Sequence, residues 1–210
     1  MIEATRAGYR DRVIPTVTVR GWVVTHRSTV ISCSPMRVDL PVLVREATTA
    51  DAESIGEVHA EAFRVAHRDL FEGAFLRTLV DQRRNMWAHR MVGREHARNT
   101  LLVAERGSAV AAFVYFGPHS DGAPDGEIFD CFAHPDVWAR RVTATVMDNA
   151  WELLREARFR RVRLWTMAGA NRARHFYESF AFAETGRTRE RDFGDGRPVL
   201  EVEYLRRTRQ

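Results

Sequence analysis

Lysine is missing: all 32 basic residues of the chain are arginine. That bias is read as the mark of a GC-rich, bacterial genome rather than as a physical demand for guanidinium. Cysteine is nearly missing too. Cys33 and Cys131 are too few for a disulfide scaffold and lack the paired spacing of a metal site, so reduced thiols and no metal are expected. No apolar run approaches the roughly 20 residues that span a bilayer. The first 30 residues also lack the uninterrupted apolar stretch of about 7 to 15 residues that a secretory signal needs. A cytoplasmic protein with no membrane partner is the expectation. The net charge of +4 and pI of about 9.6 are uneven in origin. Residues 1–35 carry five arginines against two acids, and the remainder 27 against 26. A nucleic-acid face requires clustered positive charge, so no nucleic-acid partner is expected. The one dense run, "RFRRVR" at 158–163, reads as a solvated junction between a helix and a strand.

What remains is an ordinary globular composition, 45% hydrophobic and 29% charged over 210 residues, enough for one domain with a sizeable core. Patterning is weak before Met36 and strong after it. Residues 1–40 are read as a poorly ordered N-terminal extension, with Met36 as the true start, and residues 41–210 as the folded domain. "VLVREAT" at 42–48 is a short strand, and the amphipathic segment after it is a helix with Thr49 or Asp51 as its cap. Phe75, Leu76, Leu79 and Met86 mark a second helix. "TLLVAERGSAVAAFVYFG" is a hairpin about Arg106 and Gly107. "GEIFDCFAHP" is a further strand, followed by a helix with Val142, Val146, Ala150, Leu153, Leu154 and Ala157 on one face. A strand at "RRVRLWTMAG" with Trp165 in the core, the short helix "NRARHFYESF" and a closing hairpin about "GDGRP" complete the chain. Strands alternating with helices predict an α/β fold with helices against a mixed sheet.

Three stretches carry chemistry. "IFDCFAHPDVWARRVTATVMDNAWELL" is a strand, a loop and a helix, and a helix N-terminus offers unpaired N–H groups and partial positive charge to a phosphate. "NRARHFYESFAF" and the closing hairpin "ETGRTRERDFGDGRPVLEVEYLRR" follow. In this order the three resemble the GCN5-related N-acetyltransferase (GNAT) superfamily over roughly residues 42–206. The resemblance implies a GNAT-like, mostly antiparallel central sheet flanked by helices. It implies acetyl-CoA as cosubstrate and transfer of an acetyl group to a primary amine of a small molecule or protein. The rival reading is a catalytically impaired GNAT-like module with a binding or regulatory role. A homodimer is left open.

By that resemblance Tyr177 would be the general acid for the coenzyme A sulfur and Glu127 the base for the amine. Asp130 is a rival base, which strand alternation puts on the opposite face from Glu127. Backbone N–H groups of Cys131, Phe132 and Ala133 would polarise the carbonyl, while the Cys131 thiol is read as a buried structural group. The coenzyme would be held by these residues together with Trp138, Ala139, Arg140, Arg141, Val142, Thr143 and Asn171. Asn171 would contact the coenzyme arm or cap its helix. His67 falls in the region of the acceptor wall. The loop contains no glycine: Ala139, Arg141 and Thr143 stand where the family has Gly, Gly and Gly or Ala. Glycine admits an anion close to the main chain, and on this reading the Arg141 side chain crowds the pyrophosphate, the alternative being that it swings outward and pairs with a phosphate. Ala181 likewise replaces the glycine of the family's Leu-Gly-Phe.

Overall fold

The computed structural model describes residues 41–93, 96–120, 124–138 and 141–208. The expected N-terminal extension, and Ala139 and Arg140 of the loop, lie outside the described residues. Seven strands form one sheet: β1 (Val42–Glu46), β2 (Thr100–Arg106), β3 (Ala109–Pro118), β4 (Asp125–Ala133), β5 (Arg161–Met167), β6 (Ala183–Arg191) and β7 (Val199–Arg207). Their order across the sheet is β1-β2-β3-β4-β5-β7-β6, and β4 with β5 is the parallel pair among antiparallel ones. The mixed, mostly antiparallel sheet predicted from the sequence is therefore present.

Helices cover both faces. On one lie α1 (Ala52–Ala66), α2 (Gly73–Asn85) and the one-turn α3 (Trp87–Arg90). Their apolar residues Ile55, Trp87, Leu79 and Phe63 meet Val103, Phe113, Tyr115 and Met167 of the sheet. α1 and α2 approach so closely that a Cβ on Gly56 would sit 2.1 Å from the Arg84 carbonyl oxygen. On the other face lie α4 (Val142–Glu156) and α5 (Asn171–Ser179). α4 buries Val142, Val146, Met147, Ala150, Trp151 and Leu154 against the sheet. The buried stripe is turned slightly from the predicted one: Leu153 is half-buried and Ala157 is exposed beyond the helix end. Met147 and Trp151 extend the stripe at its other edge.

Three further local expectations are corrected. Asp51 stands at the α1 N-cap position without capping the helix. Its carboxylate instead accepts from the Thr48 N–H at 2.7 Å and from the Arg45 guanidinium at 2.8 and 2.7 Å, which holds its pKa at about 2. The 158–163 run is not merely solvated. Arg161 and Arg163 reach the Asp125 carboxylate, itself buried, at 2.8 and 2.9 Å, and Arg163 continues to buried Glu203 at 3.4 Å. These ion pairs tie β4, β5 and β7 together at one end. Finally, β4 does not alternate evenly. Tyr115 pairs with Asp130 and Phe116 with Ile128, so Phe129 is an extra residue, a β-bulge.

Candidate active site

The bulge determines which side chains meet. Gly117 and Tyr115 are two apart on β3 and share a face, and their β4 partners are Glu127 and Asp130. Those two carboxylates therefore share a face as well, against the prediction from simple alternation. The β4–β5 ladder ends at the pair Ile128–Leu164, although the strands run on to Ala133 and Met167. Beyond that pair the strands part. The gap belongs to a cavity of about 1240 Å³ that receives Glu127, Asp130, Cys131, Phe132, Ala133 and Tyr177.

At one end the cavity meets the starts of α4 and α5. Trp138 bridges back to β4, donating its indole N–H to the Ala133 carbonyl at 2.7 Å, and the Arg172 guanidinium stacks on its ring at 4.1 Å. Arg141 occupies the N-cap of α4 with no side-chain cap hydrogen bond. The Thr145 N–H donates to the Arg141 carbonyl at 2.8 Å, so the N–H groups of residues 142–144 are not used by the helix. Arg141 and Thr143 line the cavity, whereas the Val142 side chain is 1% exposed in the core and leaves only its backbone to a ligand. Asn171 also lines the cavity, as the first residue of α5; Ala170 holds the cap position, so the capping role falls away. An anionic pyrophosphate fits this end: two helix N-termini without side-chain caps and two arginines converge there.

At the centre, Tyr177 is 8% exposed, and burial beside Cys131 and Asp130 raises its phenol well above the ordinary value of 10. Burial pushes the Cys131 thiol up to about 12, so it stays protonated and is no nucleophile at neutral pH. Glu127 lies 3.8 Å from the His119 ring nitrogen. Asp130 is held by Arg90 at 2.7 Å, and that guanidinium is stacked 4.3 Å from the Tyr115 ring. Around the far end stand α1, α2 and the β6–β7 hairpin. His67 lines the cavity at this end. Some residues here were not singled out from the sequence, and the sequence reading has Trp165 in the core. His59 is buried under Trp87 and faces Phe132 at 4.3 Å. Trp165 is a cavity residue rather than core, with Arg189 stacked over it at 4.3 Å. Glu201 takes Arg189 at 2.6 Å and Arg191 at 3.6 Å. Only the alternation of β5, with Leu164 inward and Trp165 outward, carried a signal for any of these.

A mixed sheet that parts at its parallel pair, with helix N-termini at the gap, gives this α/β protein one wide cavity with an anion-accepting end. The sequence profile of the acetyltransferase (GNAT) family matches residues 60–182, more than half of the chain. The chain belongs to the GNAT acetyltransferase family. None of the curated proteins matches it in sequence. Solved structures share the fold. The PaiA N-acetyltransferase of Thermoplasma acidophilum in complex with coenzyme A is 13% identical with a TM-score of 0.64, over 80% of this chain and 100% of that one. The ribosomal-protein-alanine N-acetyltransferase of Brucella melitensis is 19% identical with a TM-score of 0.58, over 79% and 99%. YncA of Salmonella typhimurium with its cofactor acetyl-CoA is 15% identical with a TM-score of 0.60, over 81% and 95%.

Proposed function

We propose that the protein transfers an acetyl group from acetyl-CoA to a primary amine. The observation that carries this reading is the meeting of three features in one cavity: the parted β4 edge, the two helix N-termini, and a lining that includes Tyr177, Glu127 and Cys131–Ala133. When bound, acetyl-CoA supplies an activated thioester and a thiolate leaving group. The chain's own groups supply the rest. The N–H groups of residues 142–144 and the arginines Arg141 and Arg172 would hold the pyrophosphate. The β4 main chain beyond the β5 ladder offers the N–H groups of Cys131 and Ala133 to a carbonyl oxygen, while alternation turns the Phe132 N–H toward β3, as it turns the His134 N–H that donates to the Ala111 carbonyl at 2.8 Å. Glu127 accepts a proton from the incoming ammonium group. Asp130 is the weaker choice of base because Arg90 already neutralises it. Tyr177 keeps its proton at neutral pH through its burial and holds it where a departing thiolate can take it.

Two measurements test the reading. Acetyl-CoA should raise the melting temperature saturably, and an amine panel should release free thiol. Tyr177→Phe should lower turnover by about 10² to 10³, the range of one lost general acid, with coenzyme affinity near wild type because the ring packing remains. Coenzyme binding without thiol release from any amine would favour the impaired binding module. Unchanged turnover in Tyr177→Phe would remove that residue from the mechanism.

A further inference from the structure

The arginines along the cavity differ in how they are neutralised. Arg90 has Asp130 at 2.7 Å, Arg189 has Glu201 at 2.6 Å, and Arg191 has the same Glu201 at 3.6 Å. Arg83 of α2 differs: among the described residues no carboxylate lies within 4.0 Å of its guanidinium. It lies 4.3 Å over the Phe63 ring and 5.7 Å from the Phe193 ring. Its two hydrogen bonds, to the Leu79 carbonyl and the Gln82 side chain, are both 3.4 Å, the long end of the range. A guanidinium carries five N–H donors, so most of this one's hydrogen-bonding capacity is unspent. Burial and the neighbouring Arg191 both lower its pKa, and Asp130 opposes them. On this wall Glu201 is shared by two arginines, which leaves the Arg83, Arg189 and Arg191 group with an excess of positive charge. A half-buried cation without a counterion is a cost to the fold. A ligand that brings the missing anion to this end of the cavity would remove that cost.

We infer that the acceptor is an amino carboxylate whose carboxylate is held by Arg83, with Arg191 beside it, at the end of the cavity formed by α2 and the β6–β7 hairpin. The inference rests on the transferase reading, since it names the acceptor of that site. The planar fork of a guanidinium matches a carboxylate in two parallel hydrogen bonds. Phe63 and Phe193 enclose the pair in an apolar wall that strengthens it. The acceptor's amine then lies toward Glu127, since Asp130 is already paired with Arg90, so the cavity carries a cationic end for the acid and a carboxylate for the amine.

The test compares matched acids and amides on the full chain with coenzyme A bound. The probes are L-phenylalanine and L-phenylalaninamide, L-leucine and L-leucinamide, and 4-aminobutanoate and 4-aminobutanamide, titrated by calorimetry. In at least one pair the acid should bind at least tenfold more tightly than the amide. Arg83→Met and Arg83→Gln should both abolish that preference while leaving the coenzyme Kd unchanged, and Arg83→Met should keep or raise the melting temperature. The inference is overturned if no acid binds, if acids and amides bind alike, or if both variants keep the preference. Thiol release from acetyl-CoA with the same pairs is scored separately. An acid that binds through Arg83 and is never acetylated overturns the transferase reading alone; equal acetylation of acids and amides overturns the carboxylate site alone.

Discussion

Ala181 holds a backbone conformation, φ +59°, that alanine rarely adopts. The cause is the way α5 ends. The Ala181 N–H donates to the Glu178 carbonyl at 2.9 Å and the Phe182 N–H to the Tyr177 carbonyl at 3.1 Å. This is the pattern of a Schellman closure, whose pivot favours glycine. The Tyr177 and Phe182 rings, 6.2 Å apart, supply the accompanying apolar contact. The closure thus fixes the main chain of the residue assigned as general acid. A left-handed alanine costs about 1 to 2 kcal/mol, of which a glycine's greater chain entropy returns part. Ala181→Gly should therefore stabilise the fold by about 0.5 to 1 kcal/mol, and raise the melting temperature by about 1 to 4 °C for a domain of this size. Turnover should not change. A melting temperature that fails to rise would mean that the αL turn carries less strain than its φ implies.

The elements themselves were largely legible, because periodicity reports burial directly. The order of strands and helices from β1 to β7 follows the predicted one, and α3 is an added single turn. Two-residue and 3.6-residue periods carried those predictions. What lay hidden was set between elements. The Phe129 bulge puts Glu127 and Asp130 on one face, and it shows only as a slip in register with β3. Arg83 looked like one arginine among 32; its lack of a counterion exists only once α1, α2 and the last hairpin close around it. The start of α4 is an intermediate case. The sequence reading has Arg141 crowding the pyrophosphate, yet Arg141 is exposed and its φ of −72° asks for no glycine. A side chain with that freedom can turn its donors toward a phosphate. Arg141→Ala should then weaken acetyl-CoA binding about tenfold or more, the loss of one charge-assisted contact worth about 1.5 to 3 kcal/mol. Calorimetry on both proteins decides it, and tighter binding by the variant would restore the crowding view.

At the scale of the whole molecule, two buried histidines tie stability to pH. His59 accepts the Trp87 indole N–H on Nδ1 at 3.1 Å, and His67 places Nδ1 3.1 Å from the Phe63 carbonyl. Burial lowers their pKa values from 6.5 to about 3 and about 4. Both are therefore neutral in the folded protein at pH values where the unfolded chain takes up protons. Between about pH 6.5 and pH 4 the unfolded state binds more protons at these two sites, so stability falls as pH falls. Each site contributes a slope approaching about 1.4 kcal/mol per pH unit. Asp51 acts in the same direction lower down: its pKa of about 2, held mainly by Arg45 against an ordinary 3.8, gives stability that is lost as pH falls from about 4 to 2. Urea midpoints measured from pH 7.5 to 4 should decline steadily from about pH 6.5, well above the range in which carboxylates titrate. His59→Gln keeps an acceptor for the Trp87 N–H but cannot be protonated, so it should remove about half of the slope. A midpoint that stays flat down to pH 5 would show that both rings are protonated inside the fold.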